Sequence, residues 1–295
     1  RHGVRGHYLR IAPVEALKDV AALARVQPIK NREQDPGLPA QEQIGGDFLQ
    51  LVRYGLRDPD LPLMRDSVTL LDRLLRVELP QGPCWYRYTG DGYGEHADGR
   101  PYDGTGLGHP WPLLTGERGH YELARGADAL PYLRALAAMA DGAGMLPEQV
   151  WEGEPLPEYG LRRGGPTGSA MPLAWAHAEF VKLACSILRG YPIDRPEPLW
   201  ARYRKAPAAA HQWFWSPQAP VHSLPAGRLL ALVLPAPARV HWAFDTGGSG
   251  ELETVDAGLG VHVARLPAVP QSCRCISFGI VGTGDGSRHR VVVAR

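Results

Sequence analysis

Met145-Leu146-Pro147-Glu148-Gln149-Val150-Trp151 and, a short interval later, Thr167-Gly168-Ser169-Ala170-Met171-Pro172-Leu173-Ala174-Trp175-Ala176-His177-Ala178-Glu179-Phe180 frame the rest of the chain. The first run puts a carboxylate in a short loop stiffened by a proline, with a tryptophan close behind. The second opens a helix downstream. An acid in such a loop is suited to activating water. On spacing alone it reads as a solvated side chain, because charged residues are mostly exposed, so its surroundings must decide.

Outward from that frame the pattern is helical. From Asp47, the residues Phe48, Leu51, Val52 and Leu56 share one face, with Gly55 near the end. A second helix follows Pro62, with Met64, Val68, Leu71, Leu74, Leu75 and Val77 buried, and stops before Pro80. The two predict an antiparallel hairpin. Trp111 to Arg125 and Ala127 to Ala140 read as a second pair, and Ser169 to Leu188 as a long third helix. Its inner face is Leu173, Phe180, Leu183, Ala184 and Ile187, with Pro172 tolerated in the first turn.

Gly82 to Gly108 differs. Trp85, Tyr86, Tyr88, Tyr93 and Tyr102 are interleaved with Asp91, Glu95, Asp98 and Asp103 among glycines, which predicts a long loop. Loops of that length without regular structure are uncommon and often functional. Towards the start, Gly6 to Ile11 reads as extended, Val14 to Val26 as a helix, and Asn31 to Gln43 as a turn-rich connector.

Beyond Ile193 the composition shifts. Pro196, Pro198, Pro207, Pro217 and Pro220 mark a linker, and short apolar runs then recur: Leu229 to Leu234, Val240 to Phe244, Gly260 to Leu266, Cys275 to Val281 and Arg290 to Val293. Turn residues such as Gly247-Gly248-Ser249-Gly250 separate them, the pattern of a small β-sandwich. The expected domains are 1–195, helical, and 196–295, linker and β module.

A chain of 295 residues with 44% hydrophobic and 21% charged content has enough apolar surface for a core. Its net charge of +1, with signs mixed along the chain, recommends neither nucleic acid nor an anionic membrane as partner. Cys84, Cys185, Cys273 and Cys275 are too few and scattered for a disulfide framework or a zinc site. No apolar run is long enough to span a bilayer, and no leader is recognisable. The chain starts at Arg1 and reads as incomplete or processed. The compartment stays open, and a lost upstream signal would make the protein periplasmic or extracellular.

The loop and helix quoted first, together with Tyr102-Asp103-Gly104-Thr105-Gly106 and Trp111-Pro112-Leu113-Leu114-Thr115-Gly116-Glu117-Arg118-Gly119, resemble the C-terminal part of the bacterial glucoamylase and glucodextranase group, glycoside hydrolase family 15. The resemblance runs from about Phe48 to Ile187. It implies an inverting exo-hydrolase that removes glucose from the non-reducing ends of an α-glucan, built as a toroid of six helix pairs. By position Glu148 matches the general base. The family's general acid, in a segment with a tryptophan followed by paired glutamates, finds no match here. The expected fold is therefore mainly α, an incomplete (α/α)6 toroid followed by a small C-terminal all-β sandwich-like module. The expected partners are an α-glucan oligosaccharide or polysaccharide and the missing upstream half. No cofactor or metal is expected, since no loop has the oxygen-rich spacing of a calcium site.

Sugar hydrolysis needs two carboxyl groups, held about 6.5–9.5 Å apart in inverting enzymes, and Glu148 fills one role. Pyranose rings stack on aromatic faces. Trp111 is the first candidate for that contact, then Trp151 and Trp85, while Trp175 reads as core. Asp91, Glu95 and Asp103 are candidates either for sugar hydroxyls or for ordinary turns. Glu117, beside Arg118 early in a helix, fits a substrate contact or a local ion pair. His109-Pro110 stands before the Trp-Pro pair, where the family usually carries an arginine-bearing stretch. His177 reads as a packed, hydrogen-bonded histidine. A substitute acid would have to be Glu95, Asp103 or Glu117, facing Glu148 at the inverting separation with its pKa raised by burial. The rival function is a catalytically inactive remnant or a carbohydrate-binding fragment.

Overall fold

The computed structural model describes residues 3–17, 19–203, 212–281 and 288–294. The chain divides into two units, Arg1–Pro207 and Ala208–Arg295. This division falls later than the expected 195/196 boundary, because a short helix at Glu197–Tyr203 goes with the helical unit. There Trp200 takes the Arg195 guanidinium on its ring at 4.2 Å and packs on Gly55, where an added Cβ would lie 3.2 Å from the Trp200 backbone.

The helices of the first unit are α1 (Leu49–Arg53), α2 (Pro62–Leu74), α3 (Pro112–Ala124), α4 (Leu130–Ala138), α5 (Ala174–Arg189) and α6 (Glu197–Tyr203). Proline opens α2 and α3 at the first helical position, where its missing N–H costs nothing. The α2 helix buries Met64, Ser67, Val68 and Leu71 on one face. The α3 helix is the hub, buried on almost every side and packed by α1, α4 and α5. Glycine makes this crowding feasible: at Gly119 a Cβ would meet Leu183 and Tyr132, each at 2.9 Å.

Three stretches depart from their sequence patterns. Val14 to Val26 is not one helix but two 3-10 turns, Val14–Leu17 and Val20–Ala24, the second capped by Asp19 accepting from the Ala21 N–H at 2.9 Å. Val14 and Val20 stay exposed, so nothing buries the apolar stripe a helix would need. The α2 helix ends at Leu74, and Val77 belongs instead to a hairpin of β1 (Arg76–Leu79) and β2 (Gly82–Trp85) that buries Cys84 and Trp85. Gly82 makes the turn with φ +127°. The α5 helix begins at Ala174, not Ser169, because the backbone before it is bonded to the Glu148 loop.

The second unit holds two sheets among its described residues. One has the order β4-β11-β10-β6-β7, from Ser223–Pro225, Arg288–Ala294, Cys275–Val281, Arg239–Phe244 and Ser249–Glu253. The other has the order β3-β5-β9-β8, from Gln212–Trp215, Leu229–Leu234, His262–Arg265 and Val255–Asp256. Leu230, Leu232 and Leu234 of β5 meet Ile276, Phe278 and Ile280 of β10 and Val291 and Val293 of β11 in one core, the packing of a sandwich. Gly247 and Gly248, at φ +92° and +94°, turn β6 into β7.

Candidate functional site

The Glu148 loop is bonded on both sides. Glu148 N–H donates to the Ala170 carbonyl at 2.9 Å, Gln149 N–H to the Ser169 hydroxyl at 3.1 Å, Val150 N–H to Pro110 at 3.0 Å and Trp151 N–H to Gly165 at 2.8 Å. Residues 165–170 are thus spent holding this loop. His177 extends the support from α5, its Nε2 accepting from the Leu146 N–H at 3.0 Å, as expected of a packed histidine.

Glu148 is 7% exposed and lines a cavity of about 470 Å3 with Tyr93, Glu95, Tyr102 and Tyr159. A second cavity, of about 630 Å3, is walled by Arg87, Trp111, Glu117, Trp175 and Glu179. Tyr93 of the first and Trp111 of the second have ring centroids 6.3 Å apart. The Arg87 guanidinium lies 4.9 Å from each ring centroid, so it stands against one aromatic side chain from each cavity.

Asp91 fixes that arginine. It is 5% exposed and accepts from Arg87 Nε at 2.7 Å and Nη2 at 2.9 Å, from Asn31 at 3.2 Å and from the Tyr93 N–H at 3.1 Å. Burial alone pulls the Arg87 guanidinium down, but Asp91, together with the charge of Glu148, holds its pKa above the ordinary value. Burial pushes the Tyr93 phenol up, reinforced by the negative charge of Glu148 and a hydrogen bond to it. The carboxylate therefore has a cation and a phenolic donor near it.

In the larger cavity Glu117 is 8% exposed, and its pKa is raised to about 8 by burial first and the charge of Glu179 second, with Arg53 opposing. Glu179 goes the other way. Burial would raise it, yet hydrogen bonds and charge from His120 and Arg53 hold it below the ordinary range.

The remaining sequence candidates fall elsewhere. Trp111 is 6% exposed on the wall of the larger cavity, and its buried indole N–H has no hydrogen-bond partner among the described residues. Trp85 sits in the core, its Nε1 donating to Asp72 at 3.0 Å. Trp151 backs the Glu148 loop, donating to the Glu154 carbonyl at 2.7 Å and packing on His109 at 4.8 Å. Asp103 is exposed, closing a turn onto Thr105 at 3.3 Å. Trp175, read as core, is 59% exposed and reaches the larger cavity. Arg87 and Tyr93 are among the wall residues to which the sequence alone assigned no role. The available signal was Arg87 four residues before Asp91, but that spacing suggests a helical pair, and the pair here closes a loop. Among the described residues no cluster of three His, Cys, Asp or Glu could hold a metal ion.

Helices packed about α3, with a loop carboxylate and aromatic walls facing open cavities, give the first unit an architecture similar to that of a bacterial glucoamylase. The comparisons agree: a glucoamylase of Clostridium sp. (strain G0005) is 45% identical over 163 residues, 55% of this chain and 22% of that protein. A crystal structure of a bacterial glucoamylase complexed with acarbose matches 67% of this chain with a TM-score of 0.57 and 38% identity, and 27% of that longer chain. The chain thus spans about a quarter of the length of each relative. No family model matches it.

Proposed function

We propose that this chain forms the C-terminal part of the catalytic domain of an inverting, exo-acting α-glucan glucohydrolase, with Glu148 as general base. The carrying observation is Glu148 itself, buried at the wall of a cavity beside Tyr93 and Arg87 and held by backbone bonds to two other segments. In this reading Glu148 takes a proton from the water that attacks the anomeric carbon. Trp111 and Tyr93 stack on the sugar, Arg87 reads a hydroxyl, and the general acid comes from outside this chain.

Two observations support an acid from elsewhere. Glu95 shares the Glu148 cavity but is committed to the Gly168 N–H at 2.5 Å and lies 3.6 Å from His109, Asp103 closes its own turn, and Glu117 lines the other cavity. Ala174, Ala178, Val181, Cys185 and Leu188 form an exposed apolar stripe along α5, a face suited to the further helix pairs of a complete toroid. The partner half is thus part of the proposal.

The test is Glu148→Gln in a chain that carries the remaining helices. It should abolish glucose release from maltotetraose while leaving acarbose binding in place. Activity retained in that variant, or product of retained anomeric configuration, sinks the assignment. The engagement of Glu95 and Asp103 with other groups, and the place of Glu117 in the other cavity, also favour a second reading, a carbohydrate-binding remnant. For the chain alone, maltotetraose binding without glucose release is its signature, and glucose release excludes it.

A further inference from the structure

His109 is 1% exposed, its ring packed on Trp151. Its Nδ1 lies 2.8 Å from Glu152 Oε2, and its Nε2 lies 3.2 Å from the Glu95 carbonyl oxygen and 3.6 Å from Glu95 Oε2. An ionised carboxylate and a carbonyl only accept, while a neutral imidazole offers one N–H. Satisfying both ring nitrogens requires both to be protonated.

We propose that His109 is a positioning residue, a buried imidazolium that clamps the Glu95 loop to the Glu148 segment and so holds the base in place. The proposal rests on the reading of Glu148 as the base. On one side of the ring, Glu95 Oε1 accepts from the Gly168 N–H at 2.5 Å, and residues 169–170 bond Gln149 and Glu148. On the other side stands Glu152, four residues after the base, which also accepts from the Tyr86 hydroxyl at 3.1 Å. The ring is walled in: a Cβ on Gly94 would lie 2.7 Å from His109 Cδ2.

The titratable groups facing the imidazole are Glu95 from the loop and Glu152 from the base segment. Behind Glu152 are Tyr86, Cys84 and Arg163, the last donating to the Glu152 carbonyl. Burial lowers the histidine's pKa, but the hydrogen bond and charge of Glu152 and the charge of Glu95 outweigh it and raise it above 6.5. Loss of the proton removes one bond and leaves two carboxylates facing a neutral ring. The clamp should therefore loosen as pH rises through the raised value.

The experiment is ring-nitrogen NMR on the intact chain with labelled histidine, alongside hydrogen-exchange protection of the Gly168 amide. The His109 ring should keep both protons at pH 6.5 and above, and Gly168 protection should fall along the same titration curve. In His109→Gln that protection should be about tenfold lower at pH 6 and lose this pH dependence, as expected for one lost charge-assisted bond. A singly protonated ring at pH 6 overturns the clamp, and so does Gly168 protection that is flat through the ring's titration. The wild-type titration alone suffices should the variant fail to fold. Glucose release from maltotetraose by a chain that carries the remaining helices separates the two ideas: a titrating clamp in a protein that releases no glucose leaves the clamp standing and removes the glucan reading. Equal sugar affinity and pH profile in wild type and His109→Gln overturn the clamp alone.

Discussion

Arg53 at the end of α1 and Glu179 on α5 meet at 2.8 Å, with side chains only 6% and 2% exposed. The cluster extends further: His120 of α3 lies 2.9 Å from the other Glu179 oxygen, and Asp194 lies 2.6 Å from Arg53. Three helices far apart in sequence are thus tied by charges hidden from water. Removing one member leaves the others buried and unpaired, which typically costs about 3–5 kcal/mol. Arg53→Met should lower the urea midpoint by that amount of stability. A loss under about 1 kcal/mol would show that water or another cation replaces the arginine.

The same cluster bears on the protonation of its neighbour. Burial first, and the charge of ionised Glu179 second, keep the proton on Glu117 up to about pH 8. The folded state therefore binds one more proton than the unfolded chain between about pH 4.5 and 8. Stability from this group is complete below that window and lost as pH rises through it. Wild-type stability minus that of Glu117→Gln, by denaturant unfolding at several pH values, should slope downward across the window and level off outside it. A flat difference would mean that Glu117 is ionised in the fold.

Two tryptophans close in space should respond differently. Trp111 N–H donates to the Trp85 carbonyl at 2.9 Å, yet only Trp111 lines a cavity. Trp111→Ala should weaken maltotetraose binding about tenfold, in line with the loss of one stacking face. Trp85→Ala should cost about 3–5 kcal/mol of stability and leave the affinity of the folded fraction nearly unchanged. Calorimetry on both variants decides it, and equal loss of affinity in the two would remove the distinction.

Most helices and five of the eleven β strands among the described residues were legible because their residues obey a single period. Pro112 to Ala124 and Leu130 to Ala138 lie inside the predicted Trp111 to Arg125 and Ala127 to Ala140, and Leu229–Leu234 and Cys275–Val281 match at both ends. The site was less legible because its geometry comes from tertiary bonds. Glu148 was found by resemblance, whereas Arg87 is aimed by Asp91 and Asn31, and nothing periodic announces a loop folded on itself. Trp85, Trp111 and Trp151 have the same composition signal, and only the folded chain shows that Trp111 lines the larger cavity while Trp85 is sealed in the core. The β1–β2 hairpin was hidden because Leu75 and Val77 continue the apolar period of α2. The short strands β3, β4, β7 and β8 escaped because each takes its stability from a neighbouring strand.

Gly119 offers a test in which general helix preference and local packing predict opposite signs. In an exposed helix interior, Gly→Ala gains about 1 kcal/mol by helix propensity. In α3 a Cβ at this position would stand 2.9 Å from both Leu183 Cδ2 and Tyr132 Cβ, contacts that side chains do not tolerate without moving. The α5 and α4 helices would have to retreat from α3 together, and overpacking of that kind costs about 1–3 kcal/mol. Gly119→Ala should therefore destabilise the helical unit, seen as a lower thermal midpoint, whereas the exposed glycine Gly142, with nothing within 4 Å of its Cβ position, should tolerate alanine. A higher midpoint for Gly119→Ala would mean that α3 is packed more loosely than these distances require.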